Sequence, residues 1–310
     1  MNGIITKYKR LQKRFFQIDE LVRRVDDLQK AVARIELRQI IPNQTPVRSL
    51  QDYEFKVYSQ WGEDGIIQFL IHSIEVKEKV FVEFGVQDYK ESNTRFLLQH
   101  DNWSGLVLDA SGEDIQAIKN DPLYYRYNLR ADCAFIDRDN INDLITRHGI
   151  SGDIGLLSID IDGNDYWIWE AINCITPRIV ICEYDSLLGP QRSVTTPYDK
   201  SFERTKAHYS FLHGGASIAA LHALGLKKGY ALVGSNSAGN NLFFVRNDLV
   251  GSLRTLMPSQ AYVKAQFRNS KDPEGNLTYL SFEDSLKLIA DLPLFDLERN
   301  ALIKVRDVFH

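Results

Sequence analysis

Gly155-Leu-Leu-Ser-Ile-Asp-Ile-Asp-Gly-Asn-Asp165 decides how this chain folds. The apolar run Leu156–Ile159 fits a strand, and it stops at an acid. Buried strands exclude carboxylates from their interiors, because taking a charge out of water is costly. Asp160 therefore marks a strand end, with Asp162 and Asp165 just beyond it. The same pattern recurs in VFVEFG (Val80–Gly85), GLVLDA (Gly105–Ala110) and RIVICEYD (Arg178–Asp185). In an open parallel sheet, ligands bind outside the carboxyl ends of the strands. The repeated acids thus point to one ligand-binding edge.

Helical patterns separate these strands. Helices are expected over 92–99, 113–120, 140–148 and 166–172, with a further strand near Tyr127–Ala131. Such alternation implies a parallel sheet covered by helices on both faces. A helix over 216–224 then precedes Tyr230–Val233 and Leu242–Arg246, whose short Gly/Ser/Asn-rich connection forces an antiparallel pair. The expected fold class is α/β: a Rossmann-like sheet closed by a C-terminal antiparallel hairpin.

Four regions follow from the pattern. Residues 1–40 form a helix in which Ile18, Leu21, Val25, Leu28, Val32 and Ile35 follow a heptad seam, so self-association through a coiled coil is expected. Residues 41–57, with two prolines, read as a linker. Residues 58–250 carry the sheet, and 251–310 read as a helical extension packed on it. A net charge of −4 gives no general attraction for nucleic acid. No apolar run approaches the roughly 18 residues that span a bilayer, and the basic N-terminus lacks a signal-peptide core. Cys133, Cys174 and Cys182 lie in or beside apolar stretches and read as reduced core thiols of a cytoplasmic protein.

At the first strand end, Glu83 and Gly85 lead into a helix, and Gly85 allows a tight turn. A dinucleotide loop needs further glycines, but Gln87 and Lys90 stand at those positions, which argues against NAD. Asp109 ends the second strand, where an acid accepts hydrogen bonds from ribose hydroxyls. Asp132 and Cys133 follow the third strand and are placed to meet a base. Together with YSQWGEDGII (Tyr58–Ile67), LSIDIDGND and NSAGNNLFFVRND, these residues resemble the class I S-adenosylmethionine-dependent methyltransferases. Within them they are similar to the FkbM-type sugar O-methyltransferases over about Tyr58–Asp248. The resemblance implies that Glu83 and Gly85 hold the amino-acid end of S-adenosylmethionine. It places Asp109 on the ribose, Asp132 and Cys133 beside adenine, and Gln60 and Glu63 over the methionine moiety. Ala110 and Asp160 complete the cofactor set.

Asp160, Asp162, Glu183 and Asp185 lie at adjacent strand ends, and such carboxylates either share protons or bind a cation. Some sugar O-methyltransferases are similar in holding Mg²⁺ there, which nominates Asp160, Glu183 and Asp185 as metal ligands. Without a metal, Asp162 and His208 are the candidate bases for a carbohydrate hydroxyl. His213 and Gly214-Gly215 lie in the same stretch. Two other readings stay open: an NAD-dependent sugar oxidoreductase and a catalytically silent coiled-coil scaffold in glycan assembly.

Overall fold

A computed structural model describes residues 2–40, 49–267 and 270–309. Two compact units result, 1–44 and 45–310. The first is one helix, α1 (Asn2–Ile40), longer at its start than the apolar seam requires.

The second unit is built on a seven-stranded sheet. Its strands are β1 (Val80–Phe84), β2 (Ser104–Asp109), β3 (Leu129–Cys133), β4 (Gly152–Ile159) and β5 (Ile175–Glu183), then β7 (Tyr230–Ser235) and β8 (Asn241–Arg246). They lie in the order β3-β2-β1-β4-β5-β8-β7. The first five are parallel, and β8 runs antiparallel to both β5 and β7. This is the expected Rossmann-like sheet with its closing hairpin. Stopping β4 and β5 at Ile159 and Glu183 leaves their centres apolar, where Leu156, Leu157, Ile179 and Val180 have no solvent exposure, and the buried Arg178 of β5 is paired with Asp153 of β4.

The helices are α2 (Glu63–Ser73), α3 (Arg95–His100), α4 (Gly112–Asn120), α5 (Pro122–Arg126), α6 (Ile141–Thr146), α7 (Asp165–Ala171), α8 (Arg204–Ala207) and α9 (Ile218–Lys228). Trp169 of α7 packs on Phe244 of β8 with ring centres 4.8 Å apart. That contact seats the hairpin against the parallel part of the sheet.

Two expectations need correction. Residues 251–310 are not a purely helical extension. Besides α10 (Pro258–Ala261) and α11 (Phe282–Leu288) they hold β9 (Pro293–Asp296) and β10 (Ala301–Lys304), which join β6 (Val194–Thr195) in a second sheet, β10-β9-β6. A small core of Leu188, Val194, Ile289, Leu294, Val305 and Val308 lies beneath it. These strands are too short for alternation to reveal them, and β6 lies a hundred residues upstream. The linker over 41–57 also ends early. Residues 41–48 lie outside the described residues, but Leu50–Tyr53 form a 3-10 turn whose Tyr53 stacks on Phe69 at 3.9 Å.

Candidate active site

Two cavities open along the carboxyl edge of the sheet. The larger, about 620 Å³, is bounded by residues at or just past the ends of all five parallel strands: Gly85, Asp109, Phe135, Asp160 and Glu183. Ligand pockets typically span roughly 300–1,000 Å³. The smaller, about 350 Å³, reaches from Glu183 and Asp185 toward Lys264 and Phe282. Asp162, Glu183, Arg204, Asn240 and Phe267 line both.

Asp162, with φ +59°, takes the left-handed backbone region, and Asp165 holds the turn by accepting from Ile161 N and Gly163 N, each at 2.9 Å. Gly85 (φ +69°) is required just opposite, because a Cβ there would lie 1.7 Å from the Asp160 carbonyl oxygen. The loops after β1 and β4 are thereby pressed together. Past the end of β4 the chain turns so that carboxylate oxygens of Asp160, Asp162 and Glu183 all lie within 4.8 Å of one another.

The electrostatics of this cluster are uneven. Arg204 donates to Asp162 Oδ1 at 2.7 Å and to the Phe211 carbonyl at 2.7 Å. Glu183 has no hydrogen-bond partner for its carboxyl among the described residues. Burial pushes Glu183 up to about 8, with Arg204 opposing and Asp165 and Asp162 adding to the rise. Asp160 is raised well above its ordinary value by burial and by the Glu183 and Asp162 charges. Asp185 stands apart: burial raises it to about 6, and its Oδ1 accepts from Leu187 N at 2.8 Å. It lies outside the three-acid cluster, so the expected metal set changes from Asp160, Glu183 and Asp185 to Asp160, Asp162 and Glu183.

Of the expected cofactor residues, Gln60, Gly85, Asp109, Ala110 and Asp160 line the larger cavity. Asp109 also ties two loops together, accepting from Gln87 N and Ser111 N at 2.8 Å each. Glu63, Glu83, Asp132 and Cys133 do not line it. Glu83 is buried, and its carboxylate takes up Ser92 Oγ at 2.6 Å, Asn93 N at 2.8 Å, Thr94 N at 3.1 Å and the Thr94 hydroxyl. It holds the turn before α3 rather than a ligand. Asp132 pairs with Arg147 at 2.6 Å and His148 at 3.0 Å. Cys133 is exposed instead of lying in the core, with Sγ 3.5 Å from the Ala110 carbonyl. The chain reaches the cavity just afterwards, at Ala134, Phe135 and Ile136. His208 lines neither cavity, and its ring bonds Ser210 Oγ at 2.7 Å. His213 is also off both walls, and burial holds it down to about 4. Gly214 and Gly215 line the smaller cavity.

The opening motif acts largely through backbone. Asp64 is buried and gathers Val57 N, Tyr58 N and Ser59 N at 2.7–2.8 Å. This projects Gln60 and Trp61 onto the larger cavity, where Trp61 stacks on Phe267 at 5.3 Å. Trp103, Trp167 and Trp169 are core residues.

Asn240 is a site residue that sequence reasoning missed. Asn236 Oδ1 accepts three backbone N–H groups, of Gly239, Asn240 and Asn241, each at 3.1 Å. Its other amide atom must then donate, and it does so to Glu63 Oε1 and Asn240 Oδ1, both at 2.7 Å. Asn240 thus presents its oxygen to Asn236, and its NH₂ lacks an acceptor among the described residues. Glu63, also held by Asn241 Nδ2 at 2.9 Å, anchors this relay. The only sequence signal was the pairing of acid-rich YSQWGED with Asn-rich NSAGNN.

No protein-family model and no curated protein matches the sequence. Among solved structures, the chain is similar to an S-adenosylmethionine-dependent methyltransferase from Clostridium acetobutylicum at 15% identity and TM-score 0.30, over 44% of this chain and 56% of that one. It is similar to the N-terminal domain of EvdMO1, solved with SAH and D-fucose, at 11% identity and TM-score 0.38, over 69% and 94% of the two chains. A third is the CurJ carbon methyltransferase, at 8% identity and TM-score 0.39 over 64% and 57%. The chain thus spans little more than half of the first and third of these proteins. Likeness at this level leaves substrate and chemistry to the geometry of the site.

Proposed function

We propose that residues 45–310 form an S-adenosylmethionine-dependent O-methyltransferase acting on a sugar hydroxyl. One observation carries this reading: a nucleoside-sized cavity and a smaller polar one meet at Glu183, whose carboxyl has no hydrogen-bond partner among the described residues. Asp109 would accept from the ribose hydroxyls. Phe135 and Ile136 would flank adenine, and Gln60 with the backbone around Asp160 would hold the methionine end. The acceptor would occupy the smaller cavity, donating its reacting hydroxyl to Glu183 and accepting from the Asn240 amide. Transfer is one displacement: the acceptor oxygen attacks the sulfonium methyl, the carbon–sulfur bond electrons return to sulfur, and Glu183 receives the hydroxyl proton. A sulfonium cation near Asp160 favours the ionised carboxylates and so readies Glu183.

This reading replaces both expected bases. Asp162 is tied to Arg204, which makes it a charge partner, and His208 lines neither cavity. The smaller cavity sets Asp162, Glu183, Asp185 and Glu283 against Arg204 and Lys264, and this acidic excess suits a neutral polyhydroxyl acceptor better than a phosphate.

A second reading has one supporting observation. Three carboxylates within 4.8 Å offer the hard oxygen donors that Mg²⁺ or Ca²⁺ takes. Such a cation would lower the pKa of the acceptor hydroxyl. Asp160, Asp162 and Glu183 would hold it, with Arg204 releasing Asp162.

Calorimetric titration tests both. S-adenosylmethionine and S-adenosylhomocysteine are expected to bind and NAD not to. Binding of NAD alone overturns the assignment, as does binding of none. Titrating MgCl₂ into the S-adenosylhomocysteine complex decides the second reading, and silence there rejects it.

A further inference from the structure

Helix α1 carries Ile18, Leu21, Val25, Leu28, Val32 and Ile35 at alternating spacings of three and four. All six are exposed, from 48% at Val25 and Val32 to 63% at Leu28. A continuous apolar stripe left in water marks an interaction surface. We propose that this stripe is the seam of a parallel, in-register, two-stranded coiled coil formed with a second copy of the chain.

The residue types choose the occupant. Set on a heptad, Ile18, Val25 and Val32 fall at the first core position, and all are β-branched. Leu21, Leu28 and Ile35 fall at the second. β-Branched residues at the first position with Leu at the second favour two parallel strands. In that arrangement each layer pairs a residue with its own copy, which is the self-complementarity of a two-fold dimer. Antiparallel pairing would instead mix the two kinds in every layer. No polar residue interrupts the seam between Ile18 and Ile35.

The flanks agree. In parallel register Gln17 faces Val22, Arg24 faces Gln29 and Ala31 faces Glu36 across the seam, so no like charges meet. Glu20–Arg24 at 2.6 Å and Asp26–Lys30 at 2.7 Å are paired within one helix, acid first, which is the favourable order. Apolar Val22, 61% exposed, would gain cover beside the seam. The proposal concerns residues 1–44 and does not depend on the methyl-transfer reading.

Sedimentation equilibrium of the full chain at tens of micromolar is expected to give twice the chain mass. Leu21→Asp combined with Leu28→Asp should weaken association at least 100-fold, with circular dichroism showing residues 45–310 still folded. Orientation is read from two single variants, Leu21→Cys and Ile35→Cys, compared with the unaltered chain under mild oxidation. In-register parallel pairing yields a disulfide dimer from both, whereas antiparallel helices can align at most one of the two positions with itself. A monomer, a trimer, or cross-linking of only one variant overturns the proposal.

Discussion

Glu83 and Glu183 lie at the carboxyl ends of two parallel strands of one sheet, Glu83 buried and Glu183 half-buried at a cavity wall, and they do opposite work. Glu83 accepts four hydrogen bonds from Ser92, Asn93 and Thr94. Glu183 accepts none among the described residues and faces both cavities. Burial raises the pKa of each, and what opposes it differs: hydrogen bonds from Ser92, Asn93 and Thr94 for Glu83, the charge of Arg204 for Glu183. A carboxylate whose lone pairs are filled by its own chain is a fastening. One left empty at a cavity wall is available to a ligand. In sequence the two glutamates look alike, since the distinction depends on what the following loop offers.

The sharpest test of that contrast is Glu183→Gln. It keeps the shape and removes the proton acceptor, so methyl transfer from labelled S-adenosylmethionine should fall about 10²- to 10⁴-fold, the range for losing a general base. S-adenosylhomocysteine affinity should stay within a few-fold. Stability gives a second readout with a defined sign. A glutamate raised from 4.5 to about 8 binds more protons folded than unfolded. Its contribution is present in full at acid pH and lost as pH rises through about 8. The melting temperature of the unaltered protein should therefore drop relative to Glu183→Gln between pH 6 and pH 9. Equal pH slopes would show that Glu183 is not buried as a neutral acid.

Glu83→Ala should behave in the other way. Removing it strands Ser92, the Thr94 hydroxyl and two backbone N–H groups, each interaction with a charged group being worth roughly 1.5–3 kcal/mol before neighbours compensate. A loss of about 2–4 kcal/mol in unfolding free energy is expected. Denaturant titration measures it. An undiminished midpoint together with lost cofactor binding would return Glu83 to the binding set and dissolve the comparison.

Much of this architecture was legible because burial forbids charge inside strands. The acids at Asp109, Asp160 and Glu183 located the sheet edge, and the hairpin followed from a connection too short for a crossover. What escaped depends on contacts between distant segments. Strand β9 pairs with β6 across about a hundred residues, and no local period records that. The family resemblance of its motif makes Glu63 a cofactor residue, whereas its partners Asn236 and Asn241 lie far along the chain. Asn240 depends on how Asn236 shares its amide between three backbone N–H groups and the Asn240 oxygen, which no local pattern encodes. His208 misled because a near-neutral titrating group suits the chemistry without saying where its ring lies.

The same distinction between filled and empty partners recurs, more weakly, after β3. The family resemblance places Asp132 beside adenine, but Arg147 and His148 already occupy its carboxylate. Slight burial raises that carboxyl, and its hydrogen bonds with His148 and Arg147 outweigh it, leaving it below its ordinary value. Phe135, two residues past the strand end, lines the cavity with its ring half exposed. An apolar ring needs no hydrogen-bond partner to await a base, and an aromatic contact contributes about 0.5–1.5 kcal/mol beyond its area. Phe135→Ala should thus weaken S-adenosylhomocysteine binding by about tenfold once lost burial is added. Asp132→Ala should change it by less than about twofold, because it disturbs only an exposed ion pair. If calorimetry gave the reverse order, adenine would lie on the Asp132 side of the strand end, and the filled partners of Asp132 would have to exchange for the base when the cofactor arrives.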